Sequence, residues 1–142
     1  HPKNPILKVA DWSYPANTVF NPGATLLPDG TTLLLCRVED RRGHSHFGVA
    51  RSANGVDGWK IDPQPTLSPD PEHFPEEVWG IEDPRITYLP EVSQYAIVYT
   101  AYSRVGPGVS SPSFRKRSNG VLGEPYSRQM VLSGVKPPKA GS

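Results

Sequence analysis

Two adjacent carboxylates, Glu82 and Asp83, stand at the head of an alternating apolar run, Gly80-Ile81-Glu82-Asp83-Pro84-Arg85-Ile86-Thr87-Tyr88-Leu89. Pro84 supplies no N–H and biases the residue before it towards extended backbone, so it belongs at the first residue of a strand or on a sheet edge. Beyond it, Ile86 and Tyr88 share one face, and Arg85, Thr87 and Leu89 the other. Asp83 therefore either caps a turn or is held at the rim of a sheet, where a rigid strand aims its carboxyl group at a ligand. Asn21, Arg37 and Asp40 also fall at the ends of apolar runs. A carboxylic acid, a guanidinium and an amide suit a sugar ring with several hydroxyls, and sugar chemistry commonly uses Asp or Glu as its proton donor.

Other chemistry is less well supplied. His44-x-His46 places two imidazoles on one strand face, but a third metal ligand would have to come from Asp40, His73 or another carboxylate, so no metal is expected. Cys36 lies inside an apolar strand and reads as a small core residue. No Gly-x-Ser-x-Gly elbow occurs, and Gly106-Pro107-Gly108 opens no helix, which argues against a serine hydrolase of that type and against a dinucleotide loop. Arg115-Lys116-Arg117 has no interleaved aromatic residues and reads as solvated, so nucleic acid is not an expected partner.

The elements that must position these residues are short and extended. Seventeen prolines and thirteen glycines among 142 residues favour turns over long helices. Residues 1–17 read as an extended arm that packs Trp12 and Tyr14 on a neighbouring surface. Thr18-Val19-Phe20 is a short strand, stopped by Asn21-Pro22-Gly23. Ala24 to Leu27 and Thr31 to Val38 flank the hairpin signal Pro28-Asp29-Gly30. In the second of these strands Thr32, Leu34, Cys36 and Val38 share one face, and Leu33, Leu35, Arg37 and Glu39 the other. Both rows are mostly apolar, as in an inner strand, and Arg37 at the end of its row requires a carboxylate or a polar ligand. Phe47 to Arg51 and a strand starting at Trp59 follow, then a proline-rich loop over 62–78, the Asp83 strand, and a further inner strand from Tyr95 to Tyr102.

No segment keeps a 3.6-residue apolar period, so the chain is all-β. Two four-strand units, roughly 18–61 and one opening near 79, follow the grammar of propeller blades, whose inner-strand ends converge on a central funnel. Residues 1–110 carry nine Lys/Arg and thirteen Asp/Glu, whereas 111–142 carry six and one, so the basic tail differs in kind from the body. Within that tail only Gln129 to Val135 could pair as a strand. No apolar run reaches the roughly 18 residues of a membrane span. His1-Pro2-Lys3-Asn4 leads into no signal-peptide core, and with a single cysteine the expected location is cytoplasmic.

Several ordered motifs carry a resemblance: Asn4-Pro5-Ile6-Leu7, Phe20-Asn21-Pro22-Gly23-Ala24, Leu35-Cys36-Arg37-Val38-Glu39-Asp40-Arg41-Arg42-Gly43, Ala50-Arg51-Ser52, Trp79-Gly80-Ile81-Glu82-Asp83-Pro84-Arg85-Ile86 and Tyr99-Thr100-Ala101-Tyr102. Over residues 1 to about 110 the chain resembles the β-1,4-mannosyl phosphorylases of glycoside hydrolase family 130. The resemblance implies a five-bladed β-propeller, of which about two blades are present, and inverting phosphorolysis of a β-mannoside to α-mannose 1-phosphate. It implies Asp83 as general acid, acting through the sugar's 3-hydroxyl. Asn21 and Arg37 would hold the mannosyl ring, Glu82 would lie near the acceptor-side sugar, and Asp40 joins them as a substrate-binding candidate. The partners expected are a β-mannoside oligosaccharide and inorganic phosphate as co-substrate, with no other cofactor. At about 50–60 residues per blade the ring needs roughly twice this chain or more. The phosphate-binding cations are therefore expected outside it, and the chain alone is expected to be inactive. The alternatives are an inverting β-mannoside hydrolase, or a non-catalytic propeller piece that binds sugar or forms homo-oligomers through open blade edges.

Overall fold

The computed structural model describes residues 2–91 and 93–103, together with the backbone of 127–132. The described residues form two antiparallel sheets and two single-turn 3-10 helices, Val9–Asp11 and Pro75–Glu77. The first sheet is a meander of β1 (Thr18–Leu26), β2 (Thr32–Glu39), β3 (Ser45–Ser52) and β4 (Lys60–Ile61). The second is β5 (Ile81–Leu89), β6 (Gln94–Ala101) and β7 (Ser127–Leu132), in that order across the sheet. The chain is thus all-β, with two meander sheets consistent with propeller blades.

The two faces of β2 are used differently, as its two apolar rows require. Leu33 and Leu35, with Phe47 and Val49 of β3, pack against Ile81, Ile97 and Tyr99 of the second sheet. Cys36 and Val38, on the opposite face, are covered by Trp12 of the N-terminal arm, with Leu7, Tyr14 and Ala16 packed around them. Gly48 permits that docking, since a Cβ there would fall 2.3 Å from the Trp12 ring. Residues 2–17 therefore act as the arm expected from Trp12 and Tyr14, and the surface they cover is the first sheet itself.

The register departs from expectation at two places. Asn21-Pro22-Gly23 does not stop β1. The strand runs on, with a register shift between Phe20 and Gly23. Pro84, expected at the first residue of a strand or on a sheet edge, takes the second place: it lies inside the edge strand β5, and what was not expected is the register shift there between Glu82 and Arg85. Both irregularities lie in strands at a sheet edge, where a missing N–H and an extra residue are tolerated. Asp83, expected to be extended, has φ 51°, and Asn21 has φ 46°. Asparagine and aspartate are the non-glycine residues that visit this left-handed region most readily, and here that tendency overrides the bias imposed by the following proline.

Smaller differences concern strand ends. The β3 strand begins at Ser45 and not Phe47, and β4 begins at Lys60, one residue after Trp59. The proline-rich segment 62–78 is not wholly free of pairing, because Leu67 bridges Phe47 at the outer edge of β3. Of the tail, 127–132 pairs with β6, starting two residues before the segment expected. The remainder of 111–142, where an atypical tail was expected, lies outside the described residues.

Candidate functional site

The apolar row Leu33–Leu35 of β2 ends in Arg37, on the face turned to the second sheet. Beneath it is Phe20, its direct cross-strand partner, whose ring centroid lies 4.4 Å from the guanidinium carbon. Three carboxylates surround the same guanidinium. Arg37 Nη2 donates to Glu82 Oε1 at 2.7 Å and lies 3.8 Å from Glu39 Oε2, and Nη1 donates to Asp83 Oδ1 at 3.4 Å. Nε donates to the hydroxyl of Ser45, 2.9 Å away. Each of the three guanidinium nitrogens thereby donates a hydrogen bond, which is what a guanidinium at the end of a buried row demands.

Asn21 completes the cluster from the other edge. Its Nδ2 donates to Asp83 Oδ1 at 2.9 Å, across 62 residues of sequence. The left-handed backbone at both residues turns the two side chains off their strands and towards each other. Gly23 lets the strands come this close, because a Cβ on it would meet the Pro84 carbonyl oxygen at 2.8 Å.

The two adjacent carboxyls are pushed apart in acidity. Asn21's hydrogen bond is the largest cause that holds Asp83 below the usual aspartate range; burial opposes it, and the Arg37 and Arg85 cations add to the lowering. Burial pushes Glu82 up; Arg37 opposes this, while the Asp83 and Glu39 carboxylates add to the rise. Of the two, Asp83 is the anion and Glu82 the more readily protonated.

Of the residues singled out from the sequence, Asn21, Arg37, Glu82 and Asp83 are brought together. Asp40 is placed differently. Its oxygens accept from Nε and Nη2 of Arg42 and from the backbone N–H groups of Arg42 and His44, so it caps the β2–β3 turn. Burial is the largest single effect on its pKa and raises it, but these donors together more than reverse that and leave it lowered. His46 faces the arm, with its ring 5.5 Å from that of Tyr14, and burial keeps it neutral by lowering its pKa. Cys36 is 2% exposed, and burial pushes its thiol up to about 12. Among the described residues no group of three His, Cys, Asp or Glu side chains is placed to hold a metal ion. A concavity of about 430 Å³ lies elsewhere, between the arm and the 56–59 turn, walled by Leu7, Asp11, Asp57 and Trp59.

Three members of the cluster escaped the reading of the sequence. Glu39 was legible in principle, two residues along the same face as Arg37. Phe20 and Ser45 were not, because only the strand register puts Phe20 opposite Arg37 and Ser45 opposite Glu39.

Comparison with known proteins places this geometry in a family. No curated protein matches the chain. A crystal structure of a glycosyl hydrolase from Bacteroides ovatus is similar to it, with 33% identity and a TM-score of 0.57 over 65% of this chain and 27% of that one. The chain thus spans about a quarter of that protein, 27% of its length. The family model described as beta-1,4-mannooligosaccharide phosphorylase matches residues 4–113, which takes in both sheet-edge irregularities and every member of the cluster. The chain belongs to glycoside hydrolase family 130.

Proposed function

We propose that the cluster is the mannosyl-binding side of an inverting β-mannoside phosphorylase site in a five-bladed propeller. Asp83 is its proton donor, Asn21 and Arg37 grip the mannosyl ring, and Glu82 faces the acceptor-side sugar. The observation that carries this reading is that one amide, one guanidinium and two carboxyls from two sheets meet through hydrogen bonds of 2.7 to 3.4 Å. Family membership supports mannooligosaccharide and phosphate as the substrates.

The chemistry is economical in acids. Inverting hydrolysis requires a second carboxylate to deprotonate water, whereas inorganic phosphate is already an anion and needs only cations to hold it. One aspartate therefore suffices for the mannoside half, and the phosphate-binding cations come from the rest of the ring. Asp83 must carry a proton when it acts, although Asn21 and Arg37 favour its ionised form. Sugar hydroxyls that accept from these two donors withdraw them from the carboxylate. Its affinity for a proton then rises as the substrate binds.

The test is titration of the chain with β-1,4-mannobiose, following the Asn21 side-chain amide and the Arg37 Nε–H by NMR, together with a search for mannose 1-phosphate when phosphate is added. Binding is expected to shift both signals in the parent chain, with proton uptake that Asp83→Asn abolishes. Neither signal moving at millimolar sugar would overturn the assignment. Phosphate-independent release of mannose would make the protein a hydrolase.

A further inference from the structure

The geometry points to Ser45 as a positioning residue that sets both halves of the cluster at once. This deepens the reading of the cluster as a mannosyl site and rests on it for its functional consequence. Ser45 is 1% exposed and stands at the first position of β3. Its hydroxyl accepts from Arg37 Nε at 2.9 Å. A guanidinium is planar, so fixing the Nε–H bond fixes the plane of the fork, and with it the directions in which Nη1 and Nη2 point. Those directions are the ones that meet Asp83 and Glu82.

The main chain of the same residue holds the other half. Ser45 forms an isolated parallel bridge with Gly80, immediately before β5 and two residues before Glu82. The approach excludes any side chain at Gly80, where a Cβ would fall 2.5 Å from the Ser45 nitrogen and 2.8 Å from its oxygen. The φ of 121° at Gly80 is likewise one that L side chains rarely adopt. The junction therefore ties the start of the carboxylate-bearing strand to the residue that orients the arginine. Arg37 comes from the first sheet and Glu82 and Asp83 from the second, and Ser45 touches both: the arginine through its hydroxyl and the start of β5 through its main chain.

The role is tested on the full chain, 15N-labelled, by the solvent exchange of the Arg37 Nε–H. In Ser45→Ala that proton should exchange about tenfold faster or more, as loss of a hydrogen bond to a charged group requires. The backbone amide spectrum away from the cluster should be unchanged. Ser45→Cys keeps a side chain in the space and removes the strong acceptor, so it should behave as the alanine variant does and serves if that variant fails to fold. The dissociation constant for β-1,4-mannobiose should rise about tenfold in either. Exchange at the parental rate in both variants would overturn the positioning role. Faster exchange in a chain that binds no mannobiose even as the parent would leave that role standing and remove the sugar-site reading instead.

Discussion

Replacing Arg37 by glutamine should destabilise the protein by an amount that depends on pH, in a direction fixed by Glu82. The Arg37 and Glu82 side chains are 13% and 19% exposed and 2.7 Å apart. Breaking so enclosed a pair leaves a carboxylate without its counter-charge, which typically costs about 3–5 kcal/mol. The contact to Asp83 contributes less, since that side chain is 41% exposed and solvent screens it. Glu82 can also relieve its own loss by taking a proton. A cost of about 3 kcal/mol near neutral pH is therefore expected.

The pH dependence follows from the directions of the two shifts. The Glu82 pKa is already raised in the folded protein, and loss of Arg37 removes the cation that opposes the rise. The folded variant then binds a proton over a wider window above the unfolded value of about 4.3, and stability falls as pH rises through that window. Asp83 runs the other way. Its depressed folded pKa contributes stability that is present above the unfolded value of about 3.9 and is lost as pH falls through the folded one, so it is unchanged over the same window. The cost of Arg37→Gln should thus shrink to about 2 kcal/mol or less near pH 5. Urea unfolding followed by tryptophan fluorescence at the two pH values measures it. A cost that is equal at both, or that grows towards acid, would refute the assignment of Glu82 as the group left without its partner.

Other substitutions probe the framework. Gly80→Ala should cost about 3 kcal/mol or more, because the new Cβ meets Ser45 backbone and the φ of 121° is strained for alanine; thermal unfolding reads this directly. Gly23→Ala, whose Cβ would meet the Pro84 carbonyl oxygen at 2.8 Å, should separate β1 from β5 and weaken the Asn21–Asp83 hydrogen bond, seen as a shift and faster exchange of the Asn21 side-chain amide. Cys36 should resist thiol reagents at neutral pH and react only at the rate of unfolding, since it is 2% exposed and its pKa is about 12; rapid labelling of the native protein would contradict the packing of the arm.

Much of this was legible because β2 advertises its environment. Two apolar rows on opposite faces require cover on both, and the structure supplies the arm on one side and the second sheet on the other. An arginine at the end of such a row has to meet anions, and it meets Glu39, Glu82 and Asp83. Asp40 reads two ways from sequence, because a charged residue at a strand end suits a turn and a ligand site equally well. In the structure its carboxylate accepts from Arg42 and from the N–H of His44 within its own short loop. Ser45 could not be found from sequence, because a serine at the start of a strand carries no signal of which side chain lies beside it.

The two register irregularities were misjudged together, and for one reason. In each, an Asn or Asp precedes proline, the residue lies in the left-handed region, and the strand continues past it: Asn21-Pro22 in β1, Asp83-Pro84 in β5. Read singly, a proline after a polar residue looks like the end of a strand or its beginning. Read as a pair, it is the same device placed in the first strand of each of two successive sheets. The two sheets bring these equivalent positions together, so residues 62 apart in sequence come to share a hydrogen bond. The device turns a side chain off its strand at the edge of the sheet, and what it delivers there is free to vary. In one sheet it delivers an amide, which can only donate or accept hydrogen bonds; in the next it delivers an acid, which can also move a proton. A single backbone solution, used twice, is enough to bring an amide and a carboxyl from different sheets to within 2.9 Å of each other.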